Sequence, residues 1–439
     1  MYQAPHHAIC FALLVVVIAV TPVLAISPGW LGPQLVSLAA ALMLLLLPLA
    51  PEADIRRSVA ISKPLAAAIL LPAAWMVLQI VPVPPGSIEH PVWRSAAAAL
   101  PGGVTGHVSI DLGSTLRGLF GYLCLIALAF VTSVLTRNRD RAETTLFALC
   151  TVTTFAAVEL LLVQNFSFLK PGDKSGDIAD ALIALSAFGA IVNLAFIVRT
   201  TERHDTRAWH QPRSPQAYAG MISLGTLAAI LCVAALIQSA TSDVLIATTF
   251  GCMVMGLVVL IRRLALGRWT IATVCAAVLV AWGGAIALRS AANPSVSPLF
   301  RFAKAFPAEA GAATLRMMSD ANWAGGGVGS YPALAAIYRD ASGIPGDTAI
   351  NTVASMLLEW GGVGVLLAAI LPLQLVVVLL RGALSRGRDS FYAASAAACL
   401  ITACCEAFCD SSFTDAPVQT LAAILFGLGL SQTTGRQAG

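Results

Sequence analysis

Residues 353–380 read VASMLLEWGGVGVLLAAILPLQLVVVLL, an apolar run with a single charged side chain, Glu359. An α-helix needs about 20 apolar residues to cross the hydrocarbon of a bilayer. Because lipid offers the backbone no hydrogen-bond partners, a run of this kind is expected to be helical. The run therefore predicts an all-α fold built from membrane-spanning helices.

The composition of the whole chain agrees with this run. Hydrophobic residues make up 58% of the 439 residues and charged residues only 11%, whereas a soluble domain carries about 25% charge. The composition excludes a soluble domain and makes the lipid bilayer the expected partner, with no nucleic acid. The ten cysteines lie in or at the ends of apolar runs, a pattern that predicts neither a disulfide nor a zinc framework.

Windows of about 20 residues predict twelve spans in one membrane domain covering residues 1–439. The first resembles a signal peptide, but no Lys or Arg precedes it, so we read it as a retained span. The predicted spans lie near residues 8–26, 31–50, 64–84, 115–135, 143–164, 178–198, 219–238, 243–260, 269–288, 353–380, 390–410 and 417–432.

The distribution of basic residues predicts the orientation. Most of the 26 Lys and Arg residues fall in the even-numbered connections and the C-terminal tail. Because basic residues favour the cytoplasmic side of a membrane, both termini are expected to be cytoplasmic. The long connections 85–114 and 289–352 then face outward, and loops of such length in a compact protein are usually functional. A short amphipathic helix is predicted near residues 307–318, with Arg316 directed to a site.

Absent motifs exclude two chemistries. No Gly-rich loop ends in Gly-Lys-Ser/Thr, which argues against ATP-driven pumping by this chain. No Asp-x-Asp pair occurs, which argues against a transferase that holds a nucleotide sugar through a metal ion. What is left is an outward site rich in arginine, and the planar arginine fork suits a diphosphate group. If the diphosphate is a leaving group, fixed cations would stabilise the charge that develops on it.

The main outer loop and the start of the tenth predicted span carry a family resemblance. Arg316, Trp323 and GGGVGSY at 325–331 are followed by Asn351 and LLEWGGVG at 357–364. In order and spacing they resemble the signature region of bacterial O-antigen ligases and related polysaccharide polymerases. The resemblance implies twelve spans in the bacterial inner membrane and, at the periplasmic face, transfer of a glycan from undecaprenyl diphosphate to an acceptor hydroxyl. It also implies no cofactor and no metal, with polysaccharide-assembly proteins as possible partners.

Three positions depart from the family pattern. Ile350 stands where ligases typically have His, and the segment 239–243 lacks the arginine that often follows the seventh span. The connection after the fifth span, which usually carries arginine, has Lys170 and Lys174 instead. The missing His shifts the expected reaction from lipid A core ligation toward polymerisation or another exopolysaccharide transfer. A decayed or regulatory homologue is the alternative.

The predicted site combines catalytic and substrate-binding residues. Arg316 is the first residue expected at the diphosphate, followed by Arg289, Arg339 and Lys174. Glu359 is expected to orient the loop or accept a proton, and Asn351 to hold a sugar or backbone group. The catalytic set is Arg316, Glu359 and Asn351; the substrate-binding set is Arg289, Arg339, Lys174, Trp323, Tyr331, Glu406 and Asp410; no metal ligand is predicted.

Several of these residues have a simpler interpretation. Arg316 could bind a lipid headgroup or staple the loop, and Trp323 and Tyr331 could anchor the chain at the membrane interface. The glycines at 325–327 and 329 are turn formers rather than a phosphate cradle. Glu406 and Asp410, one helical turn apart, could form ion pairs that orient helices.

Two other functional classes remain open. Twelve helices with both ends inside would suit a secondary transporter, although the halves show no repeat and the outer loop is large for a carrier. A non-catalytic scaffold in an envelope polysaccharide complex is the third class.

Overall fold

The computed structural model describes most of the chain. The described residues are 5–27, 31–49, 51–84, 86–100, 104–166, 175–207, 215–264, 297–338, 349–385 and 389–433, with isolated positions between 280 and 291. Within them the chain is helical, and the one β pairing is an isolated antiparallel bridge between Val83 and Gly106. The predicted all-α class is confirmed.

We number the described helices in chain order. They are α1 (Pro5–Ile26), α2 (Leu31–Leu46), α3 (Glu52–Ser62), α4 (Ala66–Ile80), α5 (Pro91–Ala99), α6 (Leu112–Leu135), α7 (Arg139–Asn165), α8 (Ser175–Arg207), α9 (Pro215–Ser239), α10 (Ser242–Leu264), α11 (Ala308–Asp320), α12 (Tyr331–Ile337), α13 (Thr352–Ser385), α14 (Ser390–Glu406) and α15 (Ala416–Ser431).

Within the described residues, nine helical segments are long and apolar enough to cross a membrane. They match the first eight predicted spans and the tenth, so the chain is a multi-pass membrane protein. The eleventh and twelfth predicted spans correspond to α14 and α15, which are 17 and 16 residues long. The ninth, 269–288, lies outside the described residues apart from isolated positions, so the count of twelve stays a prediction.

Connections between the described helices meet at two ends of the bundle. At one end, Arg137 pairs with Asp54 at 3.3 Å, and Gln432 Nε2 donates to Thr136 O at 2.7 Å. We call this the basic end, because arginines cluster there. At the other, the loop end, residues 104–111, 297–338 and 407–415 meet: Ile110 N donates to Gly326 O at 2.8 Å, and Lys304 N donates to Cys409 O at 2.9 Å. The membrane face that each end meets stays a prediction.

The centre of the bundle is formed by α8 and α14. In α8, 83% of the apolar window is buried, more than in any other candidate span of the described residues. Small residues let neighbouring helices approach α14 closely. A Cβ added at Gly251 of α10 would lie 2.0 Å from Thr402 Oγ1, and one at Gly429 of α15 would lie 2.4 Å from Ala396 Cβ.

Two predicted connections contain helices. Residues 51–63 were expected to be a plain connection, but α3 occupies 52–62 and continues through a 3₁₀ turn into α4. Glu52 and Arg56, one turn apart on α3, form an ion pair at 2.6 Å that favours the helix. The first outer loop contains α5. The amphipathic helix predicted near 307–318 is confirmed as α11.

Candidate functional site

The glycine-rich turn at 325–329 lies at the loop end. Gly325, Gly327 and Gly329 have φ angles of 79°, 100° and 77°, which only glycine adopts readily. The space is also too small for a side chain, because a Cβ at Gly325 would lie 2.4 Å from Glu359 O and one at Gly327 would lie 2.3 Å from Ser109 Oγ. The prediction that these glycines form a turn is confirmed.

The turn is seated in a break of helix α13. Gly361 has φ 68° and ψ 173°, so the helical hydrogen-bond ladder stops there. Gly326 N donates to Leu358 O at 2.8 Å, and Gly327 N donates to Glu359 O at 2.9 Å. Unpaired carbonyls are costly inside a membrane protein. The turn therefore supplies the donors that the broken helix needs.

Gln79, at the end of α4, joins the turn to the break. Its side chain is fully buried. Nε2 donates to Ala324 O at 3.0 Å and to Glu359 O at 2.9 Å, while Oε1 accepts from Val328 N at 3.3 Å. Sequence reasoning missed Gln79. The available signal was an amide inside a predicted span, where a polar side chain requires partners.

The first outer loop completes the assembly. Ile110 N donates to Gly326 O at 2.8 Å, and Ser109 Oγ lies 2.7 Å from Thr115 Oγ1. Asp111 caps α6, because its Oδ1 accepts from Ser114 N at 3.0 Å. Hydrogen bonds from the side chain and the backbone of Ser114 favour the ionised carboxylate and lower the pKa of Asp111. The described residues of 79–84, 104–111, 322–331 and 358–361 thus form one unit, which we call the turn assembly.

The carboxylate of Glu359 points into the turn assembly. Its Oε1 accepts from Tyr331 N at 3.0 Å, and the backbone N–H of Gly329 also hydrogen-bonds to the carboxylate. Glu359 therefore holds the end of the turn and the start of α12. Of its two predicted roles, loop orientation matches this geometry, and proton transfer stays a prediction.

Asn351 is fully buried at the start of α13. Nδ2 donates to Leu299 O at 2.9 Å and to Phe408 O at 3.0 Å, while Oδ1 accepts from Ala354 N at 2.8 Å. Both amide hydrogens and the oxygen thus bind the main chain. The structure assigns Asn351 the backbone-holding one of its two predicted roles.

Ile350, at the family's His position, packs in an apolar cluster with Phe300 and Ala354. It is buried. The departure from the family pattern therefore gives this position a packing role in the described structure.

Arg316 lies on the exposed flank of α11. The buried face of this helix packs Ala313 and Met317 against Tyr331 of α12. Tyr331 is only 7% exposed, its hydroxyl hydrogen-bonds with Thr314, and burial raises its pKa. Tyr331 therefore fixes α11 on the turn assembly rather than standing at the protein surface.

Trp323 differs from Tyr331. Its side chain is 54% exposed, and its ring lies 6.3 Å from the ring of Trp75. Trp75 Nε1 donates to Trp360 O at 2.8 Å, next to the break in α13. Trp323 thus provides an exposed aromatic surface at the turn.

Glu406 and Asp410 lie under the segment 297–306. Glu406 is 1% exposed, and neither carboxylate oxygen has a hydrogen-bond partner among the described residues. Asp410 Oδ1 accepts from Ser412 N at 3.0 Å and Ser412 Oγ at 2.6 Å. Burial raises the pKa of Asp410, opposed by these bonds and by Lys304. Lys304, whose charge acts on Asp410, also pairs with Asp180.

Three predicted substrate-binding residues, Arg289, Arg339 and Lys174, lie outside the described residues, and their roles stay predictions.

A further basic side chain lies beside the turn. Arg117 of α6 is exposed, and its Nη2 donates to Ser114 Oγ at 2.9 Å. A Cβ at Gly329 would lie 3.2 Å from Ser114 O, so Arg117 belongs to the helix end that touches the turn.

No family model matches the chain, and no curated protein matches it. In the described part of the chain, no three His, Cys, Asp or Glu side chains are grouped so that they could hold a metal ion. The prediction of metal-independent chemistry stays a prediction.

Proposed function

We propose that this protein transfers a glycan from an undecaprenyl-diphosphate carrier to an acceptor hydroxyl at the periplasmic face of the bacterial inner membrane. The observation that carries the proposal is the turn assembly. Two segments that carry the family resemblance, 323–331 and 357–361, are joined by Gln79 of α4 at the loop end.

Arg316 is the proposed cation for the diphosphate. Its helix is fixed on the turn assembly through Tyr331, while Arg316 itself is exposed. A guanidinium binds phosphate oxygens through a planar fork and keeps its charge at all physiological pH values. Arg289, Arg339 and Lys174 are the proposed additional cations.

In the proposed reaction, the acceptor oxygen bonds to the anomeric carbon of the donor sugar. The bond from that carbon to the diphosphate breaks, and the diphosphate leaves with the electron pair. Cations fixed at the leaving group lower the barrier because negative charge grows there in the transition state. The acceptor hydroxyl loses its proton to a base, for which Glu359 is the candidate.

The turn itself serves as a support in this proposal. The amides of Gly326, Gly327, Val328 and Tyr331 all donate to protein acceptors, so they are not available to hold a phosphate. The turn supports catalysis by positioning α11 and α12.

The test is transfer by purified protein supplied with carrier-linked glycan and acceptor. Arg316→Ala is expected to reduce the rate at least about 100-fold, the effect of removing one fixed donor from a developing charge. Arg56→Ala is the matched control, because Arg56 is an exposed arginine at the basic end paired with Glu52. Unchanged transfer by Arg316→Ala would remove this residue from the site.

Glu359 needs two substitutions because it has two proposed roles. Glu359→Gln keeps an oxygen that accepts the Tyr331 amide but cannot take a proton, whereas Glu359→Ala loses both functions. Transfer retained by Gln and lost by Ala would identify a positioning residue. Loss in both variants, with the turn intact, would support the base.

The absence of His at position 350 favours polymerisation or exopolysaccharide transfer over lipid A core ligation. A comparison of a carrier-linked glycan acceptor with a lipid A core acceptor tests this. Faster transfer to the lipid A core would contradict the preference.

Secondary transport is the second candidate. The break in α13 and the buried carboxyl of Glu406 favour it, since transporters often place broken helices and buried acids near substrate. Solute flux into proteoliposomes without any glycan would support a carrier. If the protein shows neither solute flux nor glycan transfer, that result would support a non-catalytic member of a polysaccharide-assembly complex.

A further inference from the structure

We propose that Glu406 is a proton-binding site that is occupied at neutral pH. Glu406 is the last residue of α14, at the end of this helix that meets the loop end. The ligand is a single proton on the carboxyl group. The site shares no residue with the turn assembly and does not depend on the proposed glycan transfer.

The carboxyl group of Glu406 is enclosed and has no hydrogen-bond partner within the described part of the chain. The residue is 1% exposed, and neither Oε1 nor Oε2 accepts a hydrogen bond from the described residues. An ionised carboxylate is stable in a protein interior only when it is paired or hydrogen-bonded, and otherwise it takes up a proton. The enclosure therefore favours the neutral, protonated form.

A second carboxylate lies one helical turn beyond Glu406. Asp410 is 4% exposed, and its Oδ1 accepts from Ser412 N at 3.0 Å and from Ser412 Oγ at 2.6 Å. Hydrogen bonds to a carboxylate stabilise its ionised form. Ionisation of Glu406 would therefore place two buried negative charges one turn apart, and like charges at this spacing repel.

The other described elements around this helix end bring no cation to Glu406. Lys304, from the segment over this end, pairs with Asp180 of α8, and its charge acts on Asp410. From α10, Asp243 brings a further carboxylate to the same end. Among the described residues, Asp410 is the charged group that acts on Glu406, and its charge is negative. A proton neutralises Glu406 where these side chains do not.

The hydroxyl of Thr402, on the same face of α14, is bonded elsewhere. Thr402 is one turn before Glu406 and fully buried, and its Oγ1 donates to Ala247 O of α10 at 3.5 Å. A Cβ added at Gly251 of α10 would lie 2.0 Å from this oxygen, so the two helices are in close contact here. Cys399, two turns before Glu406, is fully buried as well. Glu406 thus belongs to a closely packed face.

A proton is the ligand that suits these surroundings. It needs a single oxygen, whereas a metal cation needs several oxygen ligands. In the described ranges, no three His, Cys, Asp or Glu side chains are grouped so that they could hold a metal ion. The proton leaves only when water or a cation reaches the carboxyl group, so its release requires the packing at this end of α14 to open.

Infrared spectroscopy detects this proton directly. The carbonyl stretch of a protonated carboxyl group is separate from the bands of carboxylates and amides, and it shifts when deuterium replaces the proton. The experiment uses delipidated protein at neutral pH in a maltoside detergent, which has no carbonyl group. The wild type is expected to show such a band, and Glu406→Gln is expected to lose the intensity of one carboxyl group. Glu309→Gln, which removes an exposed carboxylate from the first turn of α11, is the matched control and should keep the full band.

Spectra in choline chloride and in sodium chloride separate a proton from a bound cation, because only a cation site would lose the band in sodium. If Glu406→Gln does not fold, Glu406→Asp decides the test, since it keeps a carboxyl group on a shorter side chain and should shift the band. Equal spectra for the wild type and the Glu406 variant, or a band that sodium removes, would overturn the site. The outcome does not depend on glycan transfer, so it can fail or succeed separately from the proposed function.

Discussion

Replacing Gln79 by methionine should loosen the turn assembly while leaving the rest of the bundle folded. Methionine has a similar length and is apolar, so it fills the space but removes the hydrogen bonds to Ala324 O, Glu359 O and Val328 N. Glu359 O keeps a partner, because Gly327 N also donates to it at 2.9 Å. Ala324 O and Val328 N are left without one.

The expected magnitude follows from these two groups. A buried polar group left without a partner costs about 1–3 kcal/mol, so the substitution should cost about 2–6 kcal/mol. This cost falls on local opening of the turn, because both groups left without a partner, Ala324 O and Val328 N, lie there. Since about 1.4 kcal/mol corresponds to a factor of ten, the turn amides should exchange at least roughly 30-fold faster.

Hydrogen–deuterium exchange of peptides covering residues 322–331 measures this directly. Gln34→Met is the matched control, because Gln34 is an exposed residue of α2, and it should leave exchange of the turn unchanged. If Gln79→Met exchanged at the wild-type rate in this segment, Gln79 would not hold the turn and the account of the assembly would be wrong.

Three further predictions follow from the same geometry. Gly361→Ala should destabilise the protein by more than about 2 kcal/mol, since φ is 68° and the new Cβ would lie 2.2 Å from a carbonyl oxygen of the turn assembly. Gly362→Ala should not destabilise it to this extent, because nothing lies within 4 Å of the new Cβ. Equal losses of unfolding free energy for the two variants in denaturant would refute the distinction. Glu406→Gln should keep or raise the unfolding midpoint because no partner is lost, whereas Asp410→Ala, which loses two hydrogen bonds, should lower it; the reverse order would contradict the contacts. The pKa of Asp111 is lowered in the folded state, so its stabilising contribution is present above its ordinary pKa of about 3.9 and is lost as pH falls through the lowered value. The free energy of unfolding of Asp111→Asn should therefore depend less on pH than that of the wild type between about pH 5 and pH 2. An unchanged pH dependence would count against this cap.

The spans could be predicted because a bilayer imposes a length and a composition on each helix. The run at 353–380 is enclosed by α13, and the run at 178–198 by α8. Hydropathy does not show whether a polar connection is itself helical. The segment 51–63 was therefore expected to be a plain connection, although the Glu52–Arg56 pair favours α3.

Part of the site could be predicted from local sequence. The spacing of glycines at 325, 327 and 329 predicts a turn, because these positions require positive φ. The role of Gln79 could not be predicted in this way, since its partners Ala324 and Glu359 are 245 and 280 residues away. A single amide in an apolar span shows that partners are needed but does not identify them.

Long-range contacts also narrow the roles of two predicted catalytic residues, Asn351 and Glu359. Asn351 binds the main chain of residues 299 and 408, and Glu359 binds the amide of Tyr331. Their residue types suit a site as well as a structural support. Only the contacts separate the two interpretations.

A structure of the protein with undecaprenyl diphosphate bound tests the central proposal most directly. We expect the diphosphate to lie at the loop end, beside the turn at 325–329, with the Arg316 guanidinium in contact with its oxygens. A diphosphate bound elsewhere, with Arg316 making no contact to it, would refute the proposed site.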